Sequence, residues 1–181
     1  MPSDSFAKNT KGAAGVHLVV AQLSLEGYVA LPTTRNLKSV DIVAFNEALD
    51  RFAFIQVKTT DKPKGGWPCH TIRKEDSWEV DLRRALDRGE RFFYVFVSLP
   101  TVSQPQPAYY IVPSAEVAEM LAFDVKQWLN GKPGRKAERQ LCAWEPRGPR
   151  PEVIEKYQKK WEFLGLDDSK RTPAVIRAGQ R

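Results

Sequence analysis

Two short apolar runs that carry polar residues at strand spacing constrain this chain more than any other feature. Val40-Asp41-Ile42-Val43-Ala44-Phe45 and Phe52-Ala53-Phe54-Ile55-Gln56-Val57-Lys58 are separated by Asn46 to Arg51, a connection suited to a hairpin. Side chains alternate across a strand, so Gln56 and Lys58 point to one side while Ile55 and Val57 point to the other. If the neighbouring strand places Asp41 opposite them, a carboxylate, an amide and an ammonium converge at one end of a sheet. A lysine half-buried on an apolar strand needs a partner. A structural ion pair of Asp41 with Lys58, and a plain turn role for Asp41, therefore stand beside the chemical reading.

That chemical reading is phosphodiester hydrolysis. A carboxylate holds Mg²⁺ (or Mn²⁺) through oxygen, the metal polarises a phosphate and acidifies water, and a nearby ammonium orients that water or offsets developing negative charge. Asp41 is the expected metal ligand and Lys58 the positive partner. Gln56 offers an uncharged carbonyl oxygen, a weaker ligand.

The rest of the chain reads as alternating helices and strands. Val16, Val19, Val20, Leu23 and Leu25 recur at helical spacing between Ala13 and Glu26, and Gly27 follows as a stop. Strands are expected at Tyr28 to Leu31, Val40 to Phe45, Phe52 to Lys58, Arg91 to Leu99 and Ala108 to Val112. Asp61 to Asp76, with two glycines and two prolines, reads as an irregular excursion, and a polar helix around Val80 to Asp87 stops at Gly89. Ser114 is placed to cap a helix running to about Leu129. A last helix is expected from Glu152 to Leu164. The order implies an α/β fold: a central mixed β-sheet of about five strands flanked by helices, with a C-terminal helical extension. Residues 1–11 are expected to be a flexible lead-in, 12–130 the core, 131–166 a basic loop and helix packed on it, and 167–181 a disordered tail.

The order of a first helix, an Asp opening a strand, and Gln-Val-Lys on the next strand resembles the PD-(D/E)XK, or restriction-endonuclease-like, nuclease superfamily. The Gln-x-Lys form is similar to modified-DNA restriction endonucleases and uncharacterised bacterial relatives. The resemblance extends through Gly15-Val16-His17-Leu18-Val19-Val20-Ala21-Gln22-Leu23, Gly27-Tyr28, Arg35-Asn36, Phe93-Tyr94-Val95-Phe96-Val97 and Tyr110-Ile111-Val112-Pro113-Ser114, roughly residues 10 to 130. It implies a metal-dependent nuclease hydrolysing DNA, in restriction, repair or mobile-element defence. It makes Asp41, Gln56 and Lys58 catalytic, and Asp41, Gln56 and the Val57 carbonyl the metal ligands. It also implies a homodimer, since small nucleases of this type use two copies to cut two strands. The chain departs from the pattern where relatives place a Gly-Glu step on the first helix: here the step is Gly15-Val16, and Gln22 fills the later helix position. With Glu absent at Val16 and Gln56, the alternative is a catalytically inactive DNA-binding or protein-interaction module that keeps the fold.

The net charge of +6 and the local excess of four positive charges over Gly131 to Arg150 (six basic residues against two acidic) favour an anionic partner, DNA. Arg35, Asn36 and Lys38 precede Asp41; Thr59 and Thr60 follow Lys58; Lys62 and Lys64 lie by Trp67; Arg135, Lys136 and Arg139 sit in the basic segment. All are candidate nucleic-acid contacts, although solvated loops and ordinary strand threonines account for the same residues. Trp67 and Trp78 read first as core cover and second as stacking surfaces. His17 reads as a solvated or hydrogen-bonded helix residue. Two cysteines and two histidines in 181 residues point to neither a disulfide framework nor a zinc cluster. No apolar run reaches the ~20 residues of a membrane span and no secretion signal is present, so a cytoplasmic protein is expected.

Overall fold

The computed structural model describes residues 4–34, 39–61, 67–72, 78–131, 139–143 and 152–167. Its elements are α1 (Asp4–Leu25), β1 (Val29–Pro32), β2 (Ile42–Phe45), β3 (Phe52–Thr60), β4 (Trp67–Ile72), α2 (Trp78–Leu86), β5 (Phe92–Ser98), β6 (Ala108–Pro113), α3 (Ser114–Asn130), β7 (Arg139–Ala143), α4 (Glu152–Glu155) and a 3-10 turn at Trp161–Leu164. Five strands form one mixed sheet in the order β1-β2-β3-β5-β6, and β4 pairs with β7 in a separate two-stranded sheet. Only β3 and β5 run parallel; β1–β2, β2–β3 and β5–β6 are antiparallel. The expected α/β class and five-stranded mixed sheet between helices are what the structure has.

Helix α1 buries Gly15, Val19 and Leu23, one residue per turn along a single stripe. It covers a sheet face whose register sets Ala30, Ala44 and Ala53 side by side, so small side chains let the helix lie close. The helix ends in a left-handed glycine, Gly27 at φ 89, with Gly27 N–H donating to Ser24 and Tyr28 N–H to Leu23. Both bonds satisfy carbonyls the last turn leaves open. At its other end α1 reaches back to Asp4, into the expected lead-in, and Lys11 is ion-paired to Asp61 just past β3. The β2–β3 hairpin is closed by buried Asn46, whose Oδ1 accepts from Arg51 N–H (3.0 Å) and whose Nδ2 donates to Asp50 (2.6 Å).

Four sequence expectations are corrected. The excursion after Asp61 contains β4, and the basic loop contains β7; these strands, far apart in the chain, pair with each other, a long-range match that local pattern does not announce. Ser114 does not cap α3 with its side chain; fully buried, its hydroxyl accepts from Arg88 N–H (3.0 Å) and donates to the Gly89 carbonyl (3.2 Å). The single C-terminal helix is instead broken into α4 and the 3-10 turn, with Lys159 at φ 54 between them. The break has a cause in the sheet. The segment crosses the β6 edge, where Ile111 N–H donates to Tyr157 and Lys159 N–H to Tyr109, covering backbone groups that an edge strand otherwise leaves open. Among the described residues, no helix is long and apolar enough to cross a membrane.

Candidate functional site

Asp41 is fixed at the mouth of the β2–β3 pair from three directions. Its N–H donates to Ile55 (2.8 Å), its carbonyl accepts from Thr33 N–H (2.9 Å), and its Oδ2 accepts from Val57 N–H (2.7 Å). Thr33 also donates its hydroxyl to the Val40 carbonyl, and Ser39 at φ 68 turns the chain into β2. Such a conformation is uncommon away from glycine. The register pair Ile42 with Ile55, continued by one step, sets Asp41 opposite Gln56.

Backbone direction adds a further oxygen. The N–H and C=O of one strand residue point to the same side. Since Ile55 accepts from Asp41 and Val57 donates to it, the Val57 carbonyl also points toward β2, beyond the last register pair. Asp41, Gln56 and Val57 line an open cleft of about 640 Å³ whose far wall is one face of α1, including Asn9, Gly12, Ala13, Val16 and His17. The residues at Gly12 and Ala13 are small, which keeps the wall low opposite the carboxylate.

Lys58 follows Gln56 by two residues on the same face of β3. Val57 packs toward the α1 side of the core and Thr59 meets Gly15, so by alternation Gln56 and Lys58 both stand on the face turned away from α1. Lys58 makes no ion pair with Asp41 within 4.0 Å among the described residues, which removes the simple ion-pair reading, yet it acts on Asp41 through space. Burial raises the Asp41 carboxyl above its ordinary range, and the Val57 N–H and the Lys58 charge pull it back down. A carboxylate held partly dehydrated and incompletely compensated is one that gains from a cation at its free oxygen.

The other candidate contacts divide. Thr59 Oγ1 is buried with no hydrogen-bond partner, pressed against Gly15, where an added Cβ would collide with it; it is directed into the fold. Thr60 closes β3, its carbonyl accepting from Leu99 N–H. Arg139 opens β7 opposite Ile72. Arg35, Asn36, Lys38, Lys62, Lys64, Arg135 and Lys136 lie outside the described residues. Trp67 is core, 6% exposed, its Nε1 donating to Val97 (2.9 Å). Two residues that sequence reasoning passed over are Arg88 and Arg91, which lie over the rings of Phe92 and Phe52 at 4.9 and 4.5 Å. Flanking a glycine in a polar turn, they carry no local signal that would have singled them out.

No family model matches the chain, and no curated protein matches it. Among solved structures, a bacterial homing endonuclease aligns over 87% of this chain and 92% of its own, with a TM-score of 0.47 and 15% identity. A likeness at that level leaves the site to be argued from its own geometry.

Proposed function

We propose that the chain is a metal-dependent nuclease of restriction-endonuclease-like organisation that hydrolyses DNA phosphodiester bonds, with Asp41, Gln56 and Lys58 as its catalytic set. The observation that carries the reading is the carboxylate of Asp41, locked by Val57 N–H at the open end of β2 and β3, across from Gln56 and under the field of Lys58. Asp41 Oδ1, the Gln56 amide oxygen and the Val57 carbonyl make a hard-oxygen set that suits Mg²⁺ or Mn²⁺ with water and phosphate completing the shell. When bound, such an ion supplies Lewis-acid polarisation of the phosphate and a more acidic water. The protein's own share is positional. Asp41 and Gln56 hold the phosphate end of the cleft, and Lys58, two residues beyond Gln56 on the same face of β3, stabilises charge that develops on the phosphoryl oxygens. Cutting both strands calls for two copies, so a homodimer on DNA belongs to the proposal, and mass in solution with and without DNA checks it.

Plasmid and single-stranded DNA incubated with Mg²⁺ or Mn²⁺ test the reading. Cleavage is expected for the wild type and a loss of about 100-fold or more for Asp41→Ala and Lys58→Ala. Cleavage insensitive to both substitutions would overturn the assignment.

A second reading has its own observation. Among the described residues no three His, Cys, Asp or Glu side chains cluster as a metal site, and Asp41 is the one carboxylate among the cleft-lining residues. On that reading the chain binds DNA without cutting it. A salt-dependent DNA shift with no Mg²⁺ heat in calorimetry, DNA included, would decide for it.

A further inference from the structure

The sheet face that carries Gln56 and Lys58 continues, away from the site, into an aromatic surface that the described helices leave partly open. Cross-strand register partners share a face. Leu31 pairs with Val43 and Val43 with Phe54; Val29 pairs with Phe45 and Phe45 with Phe52. Those six side chains therefore lie on the face opposite α1. Phe54 is also the parallel partner of Phe92, where the face passes under α2 and α3 and becomes core. On the β1–β2–β3 side it is half-open: Val43, Phe45, Phe52 and Phe54 are partly exposed, Val29 is 40% and Leu31 54% exposed.

Its margin is cationic in a specific way. Arg91 lies over Phe52 and Arg88 over Phe92, both exposed. Neither makes an ion pair among the described residues, in contrast to Lys11, Arg83, Lys156 and Lys160, each of which faces a carboxylate. Lys58 stands at the other end of the same strand face, six positions from Phe52, roughly 20 Å away. Phe45, Phe52 and Phe54 form one ring cluster, with centroids 6.4 and 5.3 Å apart.

We infer that this face binds an unpaired nucleic-acid strand, with bases stacking on Phe52 and Phe54 and phosphates held by Arg88, Arg91 and Lys58. The inference rests on the nuclease reading of the adjoining site and names its substrate class: DNA with a single-stranded arm beside the scissile bond. Partly exposed aromatics bordered by cations without ion pairs are the arrangement that single strands use, since every base has a face to stack and the backbone needs positive charge alongside. Duplex DNA keeps its bases stacked inside and has no use for the ring cluster.

Binding is measured in EDTA, so that the result does not depend on cleavage. A short fluorescein-labelled oligothymidylate and a duplex of equal length are titrated by anisotropy against the full chain, Phe52→Leu/Phe54→Leu and Arg88→Gln/Arg91→Gln. The leucines keep the face apolar, and thermal melting confirms the fold. The expected result is about a tenfold or greater loss of single-strand affinity for the leucine variant with duplex affinity unchanged. The arginine variant is expected to flatten the salt dependence of single-strand binding by about 1.4 in log–log slope. Unchanged single-strand affinity in both variants overturns the inference. So does a wild-type dimer that the leucine variant splits into monomers, because that outcome gives the face to a second copy of the chain. Cleavage that survives Asp41→Ala, with the binding differences intact, would be a failure of the site and not of this surface.

Discussion

On the side of β2 and β3 that meets α1, Ile42, Ala44, Ala53 and Ile55 are fully buried, whereas on the reverse side Val43, Phe45, Phe52 and Phe54 stay partly exposed. The same eight positions thus present small and branched residues to a helix on one face and three phenylalanines with one valine, partly open to solvent, on the other. The contrast inverts the usual expectation that the biggest apolar groups go deepest. The buried face fixes where the hairpin sits, while the open face leaves its rings within reach of solvent.

Substitutions can break that contrast. The largest effect is expected from Ile55→Ala, which should cost about 3 kcal/mol in urea unfolding because a cavity opens under α1. Val43→Ala on the open face should cost about 1 kcal/mol or less; equal costs would mean the faces are not energetically distinct. Next comes Gly15→Ala, whose Cβ meets Thr59, with Thr59 Cβ 3.0 Å away. Overpacking there is expected to cost about 1–3 kcal/mol. Thr59→Ala, which removes the buried unpaired hydroxyl, should return most of that loss in the double variant, and strict additivity would disprove the contact.

A smaller effect of opposite sign is expected at the site. Asp41 has a raised carboxyl pKa caused first by burial, so the folded protein holds its proton more tightly than the unfolded chain does. Its ionisation therefore weakens the fold as pH climbs from the unfolded value through the folded one. Asp41→Asn, which can still accept from Val57 N–H, should raise the melting temperature by about 1–3 °C at pH 7. The gain should fade as the pH drops below the usual carboxylate range. A variant that melts lower at pH 7 would contradict the desolvated, undercompensated state of Asp41.

The elements that chemistry repeats locally were legible beforehand. The alternation in β2 and β3, the stripe of α1 and the Gly27 stop all follow from nearest-neighbour periodicity. The approach of Asp41 to Gln56 followed from pairing those two strands. What was not legible depends on distant partners. β4 and β7 take their strand form from each other across the chain, and the C-terminal segment breaks because the β6 edge needs its carbonyl and amide. Ser114 has the sequence of a cap but finds better partners at Arg88 and Gly89. At the site, the residue types marked the acid, the amide and the amine, but not that the face of β3 shared by the amide and the amine is the one turned away from α1, nor the α1 wall of Asn9, Gly12 and Ala13.

Asp41 and Gln56 are proposed to face one cation position at the end of β2 and β3, and Gln56→Glu probes that pairing. Calorimetric titration with Mg²⁺ should show at least about a tenfold tighter site in Gln56→Glu than in the wild type, since one added carboxylate strengthens a hard-cation site. The gain should disappear when Asp41→Ala is combined with it. Mg²⁺ affinity unmoved by Gln56→Glu, or a gain that survives the loss of Asp41, would contradict the account.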